Sequence, residues 1–357
     1  MMSSIAFKDQ LSGGHAFYNA PNYQKTTSEE LARAVALTKI SYQLVTEPNS
    51  TVHKIITFAK KIFLLPYTLL HTLAARAILP SLNYPKYLGI NYLTDADLEG
   101  DWKYKRLTID MDGCKIDAMI VGKEATLGNG KWILASGGNS EIYERSITLQ
   151  NSDVHNIMQA TNANALLFNY PGVGASTGSP TRATIVKAYQ VILKFLEDQE
   201  NGIGANQIIG YGHSIGGAVQ GEALLTHELQ PTIKYVFVKS RTFSELSTEV
   251  SNLLCRPLGF LIKLLGWNME SFESSKKLTA HEIILQTTTE SQARAMFDST
   301  SIGTDHIIPT KATLAKALLD HHIKTNKTFL GIPEGHNKDL SKNTIIELAR
   351  LITIRLQ

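Results

Sequence analysis

A short β-prone run, Gln207-Ile208-Ile209-Gly210-Tyr211, leads straight into Gly212-His213-Ser214-Ile215-Gly216, and a proline-free helical stretch follows from Ile215 to Leu229. Glycines on both sides of a serine permit a sharp strand-to-helix turn, strained at its centre, that holds a nucleophilic hydroxyl outward. Gly217 and Ala218 are small and let the helix pack close behind the turn. The same G-x-S-x-G pattern recurs at Gly174-Ala175-Ser176-Thr177-Gly178. That copy lies beyond Pro171 and Gly172, in a Gly/Ser/Thr run that closes at Pro180, and reads as loop. Ser214 is therefore the expected nucleophile, and Ser176 is not. The bland alternative for Ser214 is a plain strand-to-helix turn.

The rest of the chain must supply a fold that carries such a turn. Its 357 residues can bury a large core in one or two domains. From about Trp102 onward, apolar runs alternate with helical stretches: Trp132–Ala135, Ala165–Phe168, Ile208–Tyr211, Tyr235–Val238, Ile283–Leu285 and Thr328–Ile332. Fully apolar strands separated by helices predict an α/β fold with a mainly parallel sheet covered on both faces. Lys105–Met111 and Lys115–Val121 flank Asp112-Gly113, a hairpin signal that predicts an antiparallel edge. Residues 1–100 read as a helical N-terminal extension to a domain over 101–357. In it, Thr27-Ser28-Glu29-Glu30 could cap a helix toward Tyr42, and a second helical pattern spans Val52–Leu79, interrupted at Pro66. Across 245–280 the alternation stops, and two readings stand equal: a cap over the site, or a core helix pair.

A serine needs a base to remove its proton and an acid to orient that base. In this kind of fold the chain order is serine, acid, histidine. The strand Lys327–Pro333 is followed at once by Glu334-Gly335-His336-Asn337, which makes His336 the expected base. Asp305-His306-Ile307-Ile308-Pro309 offers Asp305 as the acid, although Thr287–Thr304 intervenes after the preceding strand. Asp298 and Glu290 lie within that stretch and are the alternatives. The oxyanion donors are expected from the backbone N–H of Ile215 and, in Ser136-Gly137-Gly138-Asn139-Ser140, from that of Asn139.

Composition narrows the remaining classes. A net charge of +3 is too small to argue for nucleic acid. The two cysteines, Cys114 and Cys255, have no metal-ligand or C-x-x-C spacing and read as reduced thiols. No metal is expected, since H-E-x-x-H is absent and His321-His322 would point to different helix faces. No cofactor is expected either: Gly172-Val173-Gly174 and Gly210-Tyr211-Gly212 each meet their third glycine one residue too late for a dinucleotide loop. Gly202-Ile203-Gly204 follows a helix rather than a strand. Met1–Gln10 lacks a secretory signal pattern, which predicts a soluble protein of cytoplasmic type.

Together, Gly137-Gly138-Asn139-Ser140, Asn169-Tyr170-Pro171-Gly172-Val173-Gly174-Ala175-Ser176-Thr177-Gly178, the Ser214 turn, Asp305-x-Ile-Ile-Pro and Gly335-His336 resemble successive motifs of α/β-hydrolases. The chain looks similar to the group containing chlamydial CHLPS-type proteins and Legionella SidB-type effectors. The resemblance implies a serine esterase, lipase-like or thioesterase activity, and delivery of the protein into a host cell. The sequence departs from the wider group at Gly137, where many members carry histidine. Lys239-Ser240-Arg241-Thr242-Phe243 also resembles a family segment, without an assigned role. A hydrolase-fold binding or scaffold protein without turnover remains the alternative.

On a helical wheel of Val52–Leu79, His53, Lys54, Lys60, Lys61, His71 and Arg76 gather on one side and the aliphatic residues on the other. The longest uncharged run, Ile62–Ala75, is shorter than the roughly 20 residues that span a bilayer. The face either packs on the body, as amphipathic helices usually do, or makes peripheral contact with an anionic membrane. The sequence leaves the substrate and the oligomeric state open.

Overall fold

The computed structural model describes residues 18–19, 40–43, 65–84, 88, 102–123, 125–148, 152–200 and 202–357. Among them, eleven strands make one sheet. They are β1 (Tyr18–Asn19), β2 (Ile40–Gln43), β3 (Trp102–Met111), β4 (Cys114–Lys123), β5 (Lys131–Ser136), β6 (Asn164–Phe168), β7 (Gln207–His213), β8 (Lys234–Ser240), β9 (His281–Thr287), β10 (Arg294–Ala295) and β11 (Lys327–Ile332). Their spatial order is β1-β3-β4-β6-β5-β7-β8-β9-β11-β10, with β2 also paired to β3. From β6 to β11 the path through β5, β7, β8 and β9 is parallel.

Asp112 and Gly113 take φ of 53° and 79°, and β3 and β4 pair antiparallel from Trp102↔Lys123 to Met111↔Cys114. Positive φ at both turn residues is what a two-residue hairpin of this twist requires. This hairpin is not the outermost element, because β1 and β2 lie along the outer side of β3. Both come from the stretch read as helical. β2 falls where a helix toward Tyr42 was expected, and the rest of Thr27–Tyr42 lies outside the described residues. Of the Val52–Leu79 pattern, Leu65–Ile78 is helix. Pro66 sits in its first turn, where a missing N–H costs nothing. Residues 52–64 lie outside the described residues.

Side-chain alternation along β5, β7 and β8 feeds two cores, one on each face of the sheet, and Ile284 and Phe329 of β9 and β11 join a third, smaller cluster. Trp132, Leu134, Ile208 and Phe237 face a layer that includes the helices Arg182–Glu197 and Ile215–Leu224. Ile133, Ile209, Val236 and Val238 face the helices Asp153–Thr161 and Lys342–Leu356. Between β8, β9 and β11 lies a buried charge triplet. Glu282 forms ion pairs with Lys239 at 2.6 Å and Lys327 at 2.8 Å.

The segment after β8 forms three helices. The helix Ser271–Lys277 belongs to the core layer, with Ser274 close against Gly221 of the Ile215–Leu224 helix. The helices Leu246–Leu253 and Arg256–Leu264 pack on each other as a hairpin. Its root lies beside Thr310–Thr313, where Ser244 N–H donates to the Ala312 carbonyl at 2.7 Å and Leu314 N–H to that of Thr242 at 2.8 Å.

Candidate active site

Ser214 sits between β7 and the Ile215–Leu224 helix at φ 54° and ψ −120°, backbone that non-glycine residues rarely adopt. The turn can be this tight because its flanks carry no side chains. A Cβ on Gly212 would lie 2.6 Å from the Gly217 Cα, and one on Gly216 would run into the Ser136 carbonyl. Ser214 N–H donates to the Ser240 carbonyl at 2.9 Å, which ties the turn to the end of β8. The leading N–H groups of the helix, Ile215's among them, have no intrahelical partner and carry the positive end of the helix dipole.

His336 and Asp305 are brought together by two contacts. His336 Nδ1 lies 2.9 Å from Asp305 Oδ2, and His336 N–H donates to the Asp305 carbonyl at 2.9 Å. Oδ1 of Asp305 accepts from Ile307 N–H at 2.9 Å and Ile308 N–H at 2.6 Å, so the carboxylate is fixed at both oxygens. With Nδ1 committed to Asp305, Nε2 is the nitrogen left for a substrate proton. Burial pushes the His336 imidazole below its ordinary value, against the pull of Asp305, which favours the neutral base. Among the described residues no hydrogen bond joins Ser214 Oγ to His336; such contacts often tighten only with substrate. The neighbour of Ser214 does reach it: His213 Nε2 lies 3.1 Å from the His336 carbonyl oxygen, with ring centroids 5.0 Å apart.

The long gap before Asp305 has a physical cause. After β9 the chain makes an excursion that lays β10 against the outer side of β11, pairing Arg294 with Gly331 and Ala295 with Leu330. It then returns to the end of β9, where Gly303 N–H donates to the Thr287 carbonyl at 3.0 Å. Asp305 follows two residues later, next to the strand end in space. The alternatives face elsewhere. Asp298 is exposed and caps its own turn, accepting from Thr300 N–H at 2.9 Å. Glu290 is exposed and lies 3.8 Å from Arg294.

The loop after β5 is held from three sides. Gly138 N–H donates to Glu141 Oε2 at 2.8 Å, Tyr170 OH to the Gly137 carbonyl at 2.9 Å, and Ser81 Oγ to the Asn139 carbonyl at 3.0 Å. Because Gly138 is already engaged, the N–H groups of Gly137 and Asn139 remain for a ligand. Glu141 also meets His213 Nδ1 at 3.0 Å. Burial would raise the Glu141 carboxyl, but His213 and the Gly138 N–H hold it below the usual range. A Cβ on Gly137 would lie 2.7 Å from Glu141 Oε2, so the bare backbone makes room for this carboxylate. A cavity of about 30 Å³ borders Ser136, Gly137 and Tyr211, room for a water or two rather than a substrate.

Arg241 gives the unassigned 239–243 segment a role. It is buried, at φ 50°, and donates from Nη1 to the carbonyls of Gly335 at 2.8 Å and Lys338 at 2.6 Å. Nη2 lies 3.2 Å from Asp153 Oδ2, which also accepts from Tyr211 OH at 2.6 Å. One guanidinium therefore fixes the loop that carries His336.

The family model for the Chlamydia CHLPS protein (DUF818) matches residues 21–357, nearly the whole chain. The chain belongs to this family. No curated protein matches it. Among solved structures, one from an analysis of two Rhizomucor miehei esterases is 14% identical, with TM-score 0.53, over 80% of this chain and 95% of that one. An alpha-beta hydrolase from Vibrio vulnificus is 14% identical, with TM-score 0.51, over 88% and 94%. The esterase Pf2001 of Pyrococcus furiosus is 13% identical, with TM-score 0.51, over 72% and 92%. At these identities the likeness establishes the α/β-hydrolase fold, as the sequence motifs predict.

Of three further residues near this site, only Arg241 lies in a segment that the sequence singles out. Glu141 and Arg241 act through loops that only the tertiary fold brings together. Glu249, on the Leu246–Leu253 helix, is the third. Burial, reinforced by the charge of Asp305, pushes its carboxyl up to about 8, so it is mostly protonated at neutral pH. Among the described residues no cluster of three metal-ligating side chains occurs, and no helix is long and apolar enough to cross a membrane.

Proposed function

We propose that the protein is a serine hydrolase that cleaves carboxylic esters or thioesters through an acyl-enzyme on Ser214. One conjunction carries the reading: a strained, partly exposed Ser214 at the mouth of a helix, whose chain neighbour His213 touches a buried His336 already bonded through Nδ1 to Asp305. In this reading Ser214 Oγ attacks the carbonyl carbon while His336 Nε2 takes its proton. Asp305 keeps the Nδ1 tautomer and stabilises the imidazolium. The carbonyl oxygen gains negative charge and is met by the N–H groups of Ile215 and Asn139. The intermediate collapses, and His336 returns the proton to the departing alcohol or thiol. Water, deprotonated by the same nitrogen, then releases the acid and restores the serine.

The same reading treats 101–357 as the catalytic domain and the Leu246–Leu264 hairpin as a cap, since Glu249 feels the charge of Asp305. The test is turnover of p-nitrophenyl esters of increasing chain length by wild type and Ser214→Ala. The reading expects hydrolysis that the substitution removes. Wild-type turnover by a folded Ser214→Ala protein would contradict it.

A further inference from the structure

The Leu246–Leu264 hairpin has an inner and an outer side of opposite use. Gly259 lets its two helices cross closely, since a Cβ there would run into Ser251 Oγ and the Ser247 carbonyl. Inward, Ile262, Leu265 and Trp267 join the core. Outward, the whole tip is exposed: Leu253, Leu254, Cys255, Arg256, Pro257 and Leu258 in succession. Leu254 is 66% exposed, and beyond the tip Phe260 and Leu264 are 68% and 66% exposed. Large apolar side chains left this open cost hydration free energy that a monomer in water does not recover.

A second element, the Leu65–Ile78 helix, distant in sequence, also leaves large apolar side chains in solvent. The His71 ring lies 5.3 Å from that of Trp267, three residues past the end of the hairpin. The inner face of this helix, Ala75 and Ile78, joins the core, while Leu69 at 64%, Leu70 and Leu73 stay exposed. Neither this helix nor the tip Leu253–Leu258 carries an acidic residue, and they carry Arg76 and Arg256. A second copy of the chain would set these like charges against each other. An anionic surface would attract them.

We infer that the tip Leu253–Leu258 and the outer face of the Leu65–Ile78 helix dock the protein on an anionic lipid bilayer. The apolar side chains enter the acyl boundary, and Arg76 and Arg256 meet lipid headgroups. The root of the hairpin lies beside the Thr310–Thr313 turn, a few residues from Asp305, so docking turns the catalytic end toward the membrane. This docking does not rest on the esterase reading, although it would bring lipid esters to that site.

Flotation of the full chain with phosphatidylserine/phosphatidylcholine vesicles, against phosphatidylcholine alone, tests it. Wild type and Ser214→Ala should bind the anionic vesicles equally, and binding should collapse between ~0.1 M and ~1 M salt as the charges are screened. Leu254→Ser with Phe260→Ser should weaken binding at least about ten-fold. Arg76→Gln and Arg256→Gln should each weaken it roughly five-fold. These side chains are mostly in solvent, so circular dichroism and melting should match wild type. Failure of the folded protein to bind, or binding indifferent to these substitutions, overturns the inference. So does sedimentation showing a dimer that Phe260→Ser dissolves while vesicles recruit nothing.

Discussion

Ser214 and Ser176 occupy the middle of the same five-residue pattern, and the chain spends the strain differently at each. Around Ser176 the glycines take it: Gly174 and Gly178 adopt φ of 54° and 90°, while the serine is relaxed and buried. Its hydroxyl is consumed, donating to the Asn169 carbonyl at 2.8 Å and accepting from Asp117 N–H at 2.9 Å. At the other copy the serine takes the strain, at φ 54°, and the glycines supply clearance. There the hydroxyl makes no hydrogen bond among the described residues. A pattern of glycines allows both outcomes. The strand before and the helix after decide which residue is bent.

That contrast breaks or holds in graded experiments. On an ester that the protein cleaves, Ser214→Ala should cost on the order of 10⁶ in kcat, and Ser176→Ala almost nothing. Asp305→Asn should cost about 10⁴ in kcat with the fold intact, because the histidine then holds the wrong tautomer. Asp298→Asn should be silent, and the reverse ranking would move the acid. Arg241→Lys keeps a charge but loses the two-pronged grip on the His336 loop. A drop of about 10² in kcat with KM nearly unchanged would mark it as a positioning residue.

The smaller effects concern stability. Ser176→Ala leaves the Asp117 N–H without its acceptor, next to the buried Arg106–Asp117 pair at 2.6 Å. Chemical denaturation should show a loss of about 1–3 kcal/mol with normal turnover. Glu249 makes stability depend on pH. Its carboxyl stands at about 8 when folded and reverts to 4.5 when unfolded. The folded state therefore binds the extra proton between those values, and stability falls as pH rises through that window. Melting of Glu249→Gln should gain on wild type from pH 5 to pH 9. A constant difference would deny the buried protonated carboxyl.

Much of this was readable in the sequence because it follows from local rules. Apolar runs of three to five residues lie within the strands β5, β6, β7, β8, β9 and β11, which are five to seven residues long. Asp112-Gly113 made its hairpin, and Asp305 and His336, chosen by position, lie bonded together. What escaped depends on distant partners. β1 and β10 have two residues each, too few for any periodicity, and exist only because β3 and β11 offer open sides. The excursion that delays Asp305 is invisible until β10 pairs. Arg241 and Glu141 owe their places to loops from opposite parts of the chain.

The central claim is that one serine of the two is a nucleophile. Labelling the full chain with a fluorophosphonate probe and mapping the adduct by mass spectrometry tests it most directly. The account predicts a single adduct on Ser214, absent in Ser214→Ala, retained in Ser176→Ala and slowed in Asp305→Asn. An adduct on Ser176, or no adduct on folded wild type, would contradict it.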